Sequence, residues 1–292
     1  MNIVLFHLGN KLPDYFTYCT DQIKLTNPDS VIYLLTNSNI DSIPNVKVVD
    51  VSEFEVPDIS NYFSSDIHHK QLWQTSLIRI FYLEAFLRTY NIKDIIHFDN
   101  DVLIYHNYTE MLNKFKKFNF LITPQFDTEY VFGFSYIKDY KSLTPITSIL
   151  QNLISLPFRE LQTLTNTEYP HEMRLLSYVN KISNNKYIDL LPVVVDGEGS
   201  DNFNIFNMVF DPSSYGKHIA GSHCLGSHNR HFVPTPKWNG TETHHYIGKQ
   251  IHSGIIEVDL DGNIPYIIYN ETKYKISNLH IHNKQLKDFI IL

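Results

Sequence analysis

Apolar residues along this chain fall into short, nearly continuous blocks separated by polar turns. Residues 2–7, 31–35 and 46–51 are three such blocks, each of strand length. Between the first two, residues 14–25 place Phe16, Cys19 and Ile23 at helical spacing until Asn27-Pro28-Asp29 breaks the pattern. Residues 73–90 predict the clearest helix, with Leu77, Ile80, Phe81, Leu83, Ala85, Phe86 and Leu87 forming a broad apolar face. That helix leads through Asn91-Ile92-Lys93-Asp94 into a further apolar strand over 95–104. Strands without polar alternation, interleaved with helices, predict an α/β fold whose mostly parallel central sheet is covered on both faces. Ligands of such sheets sit beyond the carboxyl ends of the strands. The loops holding Leu8-Gly9 and Asn37-Ser38 are therefore the expected seat of a nucleotide base.

Further along, a helix is expected near 109–117, strands at 120–123 and 130–137, helices at 143–156 and 171–181, and a strand at 187–195. From Asp196 the chain reads as loop-rich, with Gly, Ser, His and Asn clustered together. Two short strands close it, 255–260 and 264–269, joined by the hairpin signal Gly262-Asn263. No internal repeat or low-complexity linker divides the sequence, so one domain spanning 1–292 is expected, its nucleotide-binding part ending near 105 and its acceptor part running over 106–292.

Composition narrows the function. A length of 292 residues, 43% of them hydrophobic, supplies ample core. With 24 basic against 31 acidic side chains the net charge is −7, the opposite of a nucleic-acid binder's footprint. Cys19 and Cys224, the two cysteines, cannot build a disulfide framework or a cysteine zinc site. The first residues lack a basic leader, and no apolar run approaches the ~20 residues of a membrane helix, so a cytoplasmic protein is expected. Sequons at Asn107, Asn239 and Asn270 are then chance matches in an asparagine-rich chain.

The chemistry concentrates at Ile95-Ile96-His97-Phe98-Asp99-Asn100-Asp101-Val102-Leu103-Ile104. Two carboxylates interrupt an apolar run, and ionised carboxylates are costly to bury without a compensating cation. Strand alternation would send Asp99 and Asp101 to one side, a paired hard-oxygen site suited to Mn²⁺ or Mg²⁺ and, through it, a diphosphate. The plainer alternative is an aspartate turn or cap. Arg79, inside Leu77-Ile78-Arg79-Ile80-Phe81, either snorkels to solvent or turns inward to acid or phosphate. In an extended segment His280, His282 and Lys284 share one face, two metal-capable imidazoles beside a point charge for phosphate. Glu172 opens a helix after Pro170 and either complements the helix dipole or binds sugar or acceptor hydroxyls. The stretch from His223 to His245 matches no zinc spacing, and residues 211–221 read as a turn-rich acceptor-side loop.

Taken in order, the N-terminal nucleotide strand, the arginine-bearing helix, Phe98-Asp99-Asn100-Asp101, the Glu172-Met173 helix and His280-Ile281-His282-Asn283-Lys284 resemble the GT-A glycosyltransferases. The resemblance is greatest to the glycogenin and bacterial lipopolysaccharide galactosyltransferase group. It spans nearly the whole chain, and the D-x-D block is its specific part. It implies a GT-A type single domain with a Rossmann-like central sheet. It also implies Mn²⁺ (or Mg²⁺) on Asp99, Asp101 and a late histidine, His282 as first choice and His280 as second. Lys284 would contact the diphosphate, and Asn100 would lie within the donor site. The group's H-x-x-G-x-x-K-P-W ending is absent here, and its D-Q-D helix is matched at best by Glu172-Met173, which makes Glu172 the catalytic candidate.

The expected activity is metal-dependent transfer of a hexosyl unit from a nucleotide-sugar donor, a UDP-sugar, to a glycan or glycoprotein acceptor, with the resemblance leaning towards retention. Lys284 and Arg79 would add positive charge where the leaving diphosphate gains negative charge. Two rivals stand beside this. A haloacid-dehalogenase-like phosphatase also carries Asp-x-Asp after a strand, though normally its first strand, with a small residue and threonine following. A non-catalytic nucleotide- or carbohydrate-binding protein is the other.

Overall fold

The computed structural model describes residues 1–40, 42–60, 62, 70–223, 232–233 and 243–291. Cys224, His228, His231 and the Asn239 sequon lie outside the described residues. The N-terminal part follows the apolar blocks: β1 (Asn2–His7), α1 (Phe16–Thr26), β2 (Val31–Thr36), β3 (Val46–Asp50), α2 (Lys70–Tyr90) and β4 (Ile95–Phe98). Helix α2 stops where Asn91 turns left-handed at φ 49°, a conformation asparagine tolerates better than most residues. Next come β5 (Val102–Ile104), α3 (Leu112–Phe115), β6 (Phe120–Phe126), β7 (Glu129–Ile137), α4 (Tyr140–Ile154), α5 (Phe158–Thr165), α6 (Glu172–Ile182) and β8 (Asp189–Leu190).

Among the described residues, seven strands form the central sheet in the order β3-β2-β1-β4-β7-β6-β8. The pairs β2–β3, β1–β2, β1–β4 and β6–β8 are parallel, while β7 runs antiparallel to both β4 and β6. The sheet is thus mostly parallel, as the patterning predicts. Alternation along β1 explains why both faces are apolar. Ile3 and Leu5 enter one core with Phe16, Cys19 and Ile23 of α1. Val4 and Phe6 enter the other with Leu77, Ile80 and Phe81 of α2, Ile146 of α4 and Leu175 of α6.

The last third is less loop-like than its composition implies. It contains α7 (Phe203–Phe206), α8 (Ser214–Ala220), the strand pair β9 (Ser222–His223) and β10 (Phe232–Val233), and α9 (Tyr246–His252). A three-stranded meander follows, β11 (Ile256–Asp261), β12 (Ile264–Tyr269) and β13 (Thr272–Lys275), and then β14 (Asn278–His280), which pairs antiparallel with β5. No helix among the described residues is long and apolar enough to cross a membrane.

Three expectations need correction. Residues 95–104 are two strands, because Asp99, Asn100 and Asp101 form a turn closed by Val102 N–H donating to the Asp99 carbonyl at 3.0 Å. The strand expected over 187–195 shrinks to β8. Pro192 has no N–H for a ladder, and the amides of Val193 and Val194 turn instead to the Gly199 carbonyl. Residues 214–220, expected as loop, are the helix α8.

Candidate active site

The site grows from the turn between β4 and β5. Asp99 N–H donates to the Gly133 carbonyl on β7 at 3.1 Å, which fixes the start of the turn. Asn100 reaches sideways, its amide donating to the Phe6 carbonyl at the end of β1 (3.1 Å). The second half of the turn is fixed by the C-terminal segment. Val102 of β5 pairs with His280 of β14, and Ile281 N–H donates to the Asp101 carbonyl at 2.8 Å. The His280 Nε2 then stands 3.1 Å from Asp101 Oδ2, and the Lys284 ammonium binds the same carboxylate oxygen.

Ligand-capable atoms of Asp99, Asp101 and His280 all lie within 4.8 Å of one another. Gly133 lies against two of them: a Cβ at that position would come 2.9 Å from Asp99 Oδ2 and 3.5 Å from His280 Nδ1, so a side chain there would press on the Asp99 carboxylate. Two carboxylates and an imidazole, which burial keeps neutral by lowering its pKa, are a donor set that fits Mn²⁺ or Mg²⁺. His282 lies outside that three-residue cluster, its ring stacked on His280 at 4.3 Å between centroids. The strand ends at His280, so a turn replaces the extended face expected of His280, His282 and Lys284, while the three side chains still gather on one side. Lys284 reaches Asp101 from a turn, with its own backbone left-handed at φ 63°.

Arg79 turns inward. One guanidinium nitrogen bonds Asp99 and another lies 3.2 Å from Glu172 Oε1. Burial alone would raise the Asp99 carboxyl, but Arg79, with His280 and His97, holds it at about 2. Burial dominates at Glu172 and, with the Asp99 charge, pushes its carboxyl up to about 7 against the pull of Arg79. The Glu172 side chain is 3% exposed and also accepts the Phe132 N–H at 3.3 Å. Lys284 is pulled down to about 8 by burial, against the opposing charge of Asp99.

The expected base-binding loops lie at the carboxyl ends of β1 and β2. Gly9 N–H donates to Asn37 Oδ1 at 2.9 Å, and the Ser38 hydroxyl donates to the Gly9 carbonyl, so the two loops are tied to each other. Leu8 borders a groove of about 370 Å³ whose walls include Ile78, Tyr82 and Gln74.

Sequence reasoning missed three contributors: Gly133, Tyr15 and Asp211. Tyr15 lies under the Lys284 ammonium, 5.8 Å from ring centroid to nitrogen. Asp211, 1% exposed, accepts the His280 backbone N–H at 3.0 Å. The cluster Asp211-Pro212-Ser213 carried a turn signal, but nothing local in the sequence links it to residue 280.

No family model matches the chain, and no curated protein matches its sequence. Among solved structures, the chain is similar to the galactosyltransferase LgtC in complex with donor and acceptor sugar analogs, with 13% identity, 66% of this chain and 73% of that one covered, and a TM-score of 0.45. It is similar to mouse xyloside xylosyltransferase 1 in its apo form at 11% identity, 66% and 86% coverage, and a TM-score of 0.44. The glycosyltransferase GlyE of Streptococcus pneumoniae TIGR4 shares 14% identity over 65% of this chain and 44% of that one, with a TM-score of 0.38.

Proposed function

We propose that this protein is a metal-dependent GT-A glycosyltransferase that moves a hexosyl unit from a UDP-sugar to a glycan or glycoprotein acceptor. The observation that carries the reading is the convergence of Asp99, Asp101 and His280 within 4.8 Å, beside the Lys284 ammonium. In this reading Asp99, Asp101 and His280 hold Mn²⁺ or Mg²⁺, which when bound supplies Lewis-acid neutralisation of the leaving diphosphate. Lys284 adds a point charge for the same diphosphate. Arg79 has its guanidinium committed to Asp99 and Glu172. It therefore serves the donor site by holding Asp99 ionised and oriented, and Glu172 serves through Arg79. Leu8, Gly9 and Asn37 border the base, with Asn100 tying the aspartate turn to β1.

A haloacid-dehalogenase-like phosphatase needs its first aspartate free to attack phosphate. Asp99 is instead tied to Arg79, and its turn follows the fourth strand of the chain. The test is a UDP-sugar screen by thermal shift and donor hydrolysis, with Mn²⁺ and with a chelator. Mn²⁺-dependent stabilisation by UDP together with slow donor hydrolysis is expected. Equal shifts with Mn²⁺ and chelator would sink the reading, and binding without turnover on any donor would leave a binding module in its place. Proton NMR of the anomeric product then checks retention.

A further inference from the structure

The strand that presents His280 is only three residues long, and one of its edges is bonded to β5. A two-strand pairing so short is marginal alone. Its other edge is supported by the segment that leads into α8. Val209 bridges Ile276 in parallel, and Ser277 N–H donates to the Val209 carbonyl at 2.8 Å. Asn278 then takes over with its side chain: its Oδ1 accepts Asp211 N–H at 3.1 Å and its Nδ2 donates to the Asp211 carbonyl at 3.0 Å. At His280 the partner is the Asp211 carboxylate itself.

That carboxylate is saturated with backbone donors. Oδ1 accepts the N–H groups of Ser213 and Tyr215, both at 2.9 Å. Oδ2 accepts those of Gly216 at 2.9 Å and His280 at 3.0 Å. One side chain therefore closes the first turn of α8 and completes the edge of β14. The contact between helix and strand is too close for any side chain, because a Cβ on Gly216 would overlap the His280 carbonyl. Tyr215 anchors the helix from its far side, its hydroxyl donating to the Val193 carbonyl at 2.7 Å. Asp211 is not among the residues whose ligand atoms converge.

We propose that Asp211 is a positioning residue for His280: by joining α8 to β14 it fixes the strand that presents the imidazole to Asp101, and so sets the divalent-cation affinity of a cluster it does not enter. The inference rests on the metal-site reading above. Partners one shell out from metal ligands typically change affinity 10- to 100-fold when altered. The amide of Asp211→Asn would turn an NH₂ group towards N–H donors and remove the charge that four of them share.

The experiment is Mn²⁺ titration followed by electron paramagnetic resonance of the free ion, on the full chain and its Asp211→Asn, Asn278→Ala and His280→Ala variants. Thermal unfolding in chelator is run in parallel. Asp211→Asn is expected to weaken Mn²⁺ binding about 10-fold or more, and Asn278→Ala to weaken it by less. A purely structural role would lower the unfolding temperature in chelator and leave the Mn²⁺ affinity of the folded variant unchanged. That outcome in Asp211→Asn overturns the proposal, as does unchanged affinity in Asn278→Ala where Asp211→Asn fails to fold. If the unaltered chain binds no Mn²⁺, or binds it as well without the His280 imidazole, the metal-site reading itself fails, a result distinguishable from failure at Asp211 alone.

Discussion

The His280 imidazole stands 3.1 Å from the Asp101 carboxylate although 179 positions of chain separate them. The approach is made by backbone, since β14 pairs with β5 residue for residue from Asn278–Ile104 to His280–Val102. Register here has a chemical consequence. A slip by one position would turn the imidazole to the opposite face, away from Asp101.

Removing either carboxylate is expected to separate binding from folding. Asp99→Ala and Asp101→Ala should abolish sugar transfer and Mn²⁺-dependent stabilisation by UDP, while circular dichroism stays that of the parent. Both residues lie in the turn and outside the apolar runs of β4 and β5, so the folded signature should persist, although Asp99→Ala also deprives the buried Arg79 of a partner and should unfold at lower urea than Asp101→Ala. A variant that kept near-normal turnover at limiting Mn²⁺ would refute the assignment.

Gly133→Ala presses a methyl group against two of the three ligand candidates. Residue 133 sits within β7, where alanine is compatible with the backbone, yet the new methyl group would lie 2.9 Å from Asp99 Oδ2. Little change in chelator and a loss of Mn²⁺ affinity of roughly tenfold or more are expected, comparable to other changes beside metal ligands. Isothermal titration of Mn²⁺ into the variant decides it, and parent-like affinity counts against a site at this position.

Arg79→Met leaves two acids without their guanidinium. Breaking a buried ion pair by deleting one partner costs about 3–5 kcal/mol, because the remaining charge is uncompensated. The Arg79 and Glu172 side chains are 10% and 3% exposed, so a loss in the lower part of that range is expected by urea unfolding. Asp99 is the acid left charged, because without Arg79 the Glu172 carboxyl, already raised to about 7, takes up a proton. Adding Asp99→Asn should therefore recover part of the loss, and a double variant no more stable than Arg79→Met alone would mean that Asp99 is not the charge Arg79 compensates.

Glu172 also gives a pH signature. Its carboxyl is raised in the folded protein to about 7 from an ordinary 4.5, chiefly by burial. Between those values the folded state holds a proton that the unfolded state has released. Stability from this group is therefore full below about pH 4.5 and declines as pH rises towards 7. Glu172→Gln is permanently neutral and lacks that decline. The difference in unfolding temperature between variant and parent should move in the variant's favour from pH 4.5 to 7 and then level off. Parallel curves would show that the Glu172 carboxyl titrates in the folded chain as it does in the unfolded one.

Much of this was legible in the sequence, and the reasons for the rest are physical. Apolar blocks marked β1, β2 and β4 because strands buried on both faces lack polar alternation, while the edge strand β3 showed as a run of valines broken by the exposed Lys47. The pair Asp99 and Asp101 stood out as charge inside such a block. Their convergence, however, comes from a tight turn and not from strand alternation. Helices α7, α8 and α9 span four to seven residues, too few turns for an apolar period to show. Gly133 and Asp211 act through contacts with residues distant in sequence, so neither spacing nor composition could announce them.

The final expectation concerns the C-terminal segment. His280 approaches Asp101 directly, whereas His282 stacks over the His280 ring at 4.3 Å. If the first is a ligand and the second its support, His280→Ala should remove most Mn²⁺ binding. His282→Ala should raise the Mn²⁺ concentration needed for activity more modestly, because an unsupported ring gains freedom it must lose on binding. Lys284→Ala should act differently from both. Its ammonium is suited to phosphate as a point charge, so UDP affinity should fall while Mn²⁺ binding measured without nucleotide does not weaken. Titrations of Mn²⁺ alone and of UDP at saturating Mn²⁺ separate the three variants. Equal losses of Mn²⁺ affinity in the two histidine variants would place both imidazoles on the metal, and a Lys284→Ala variant with unaltered UDP affinity would remove lysine from the donor site.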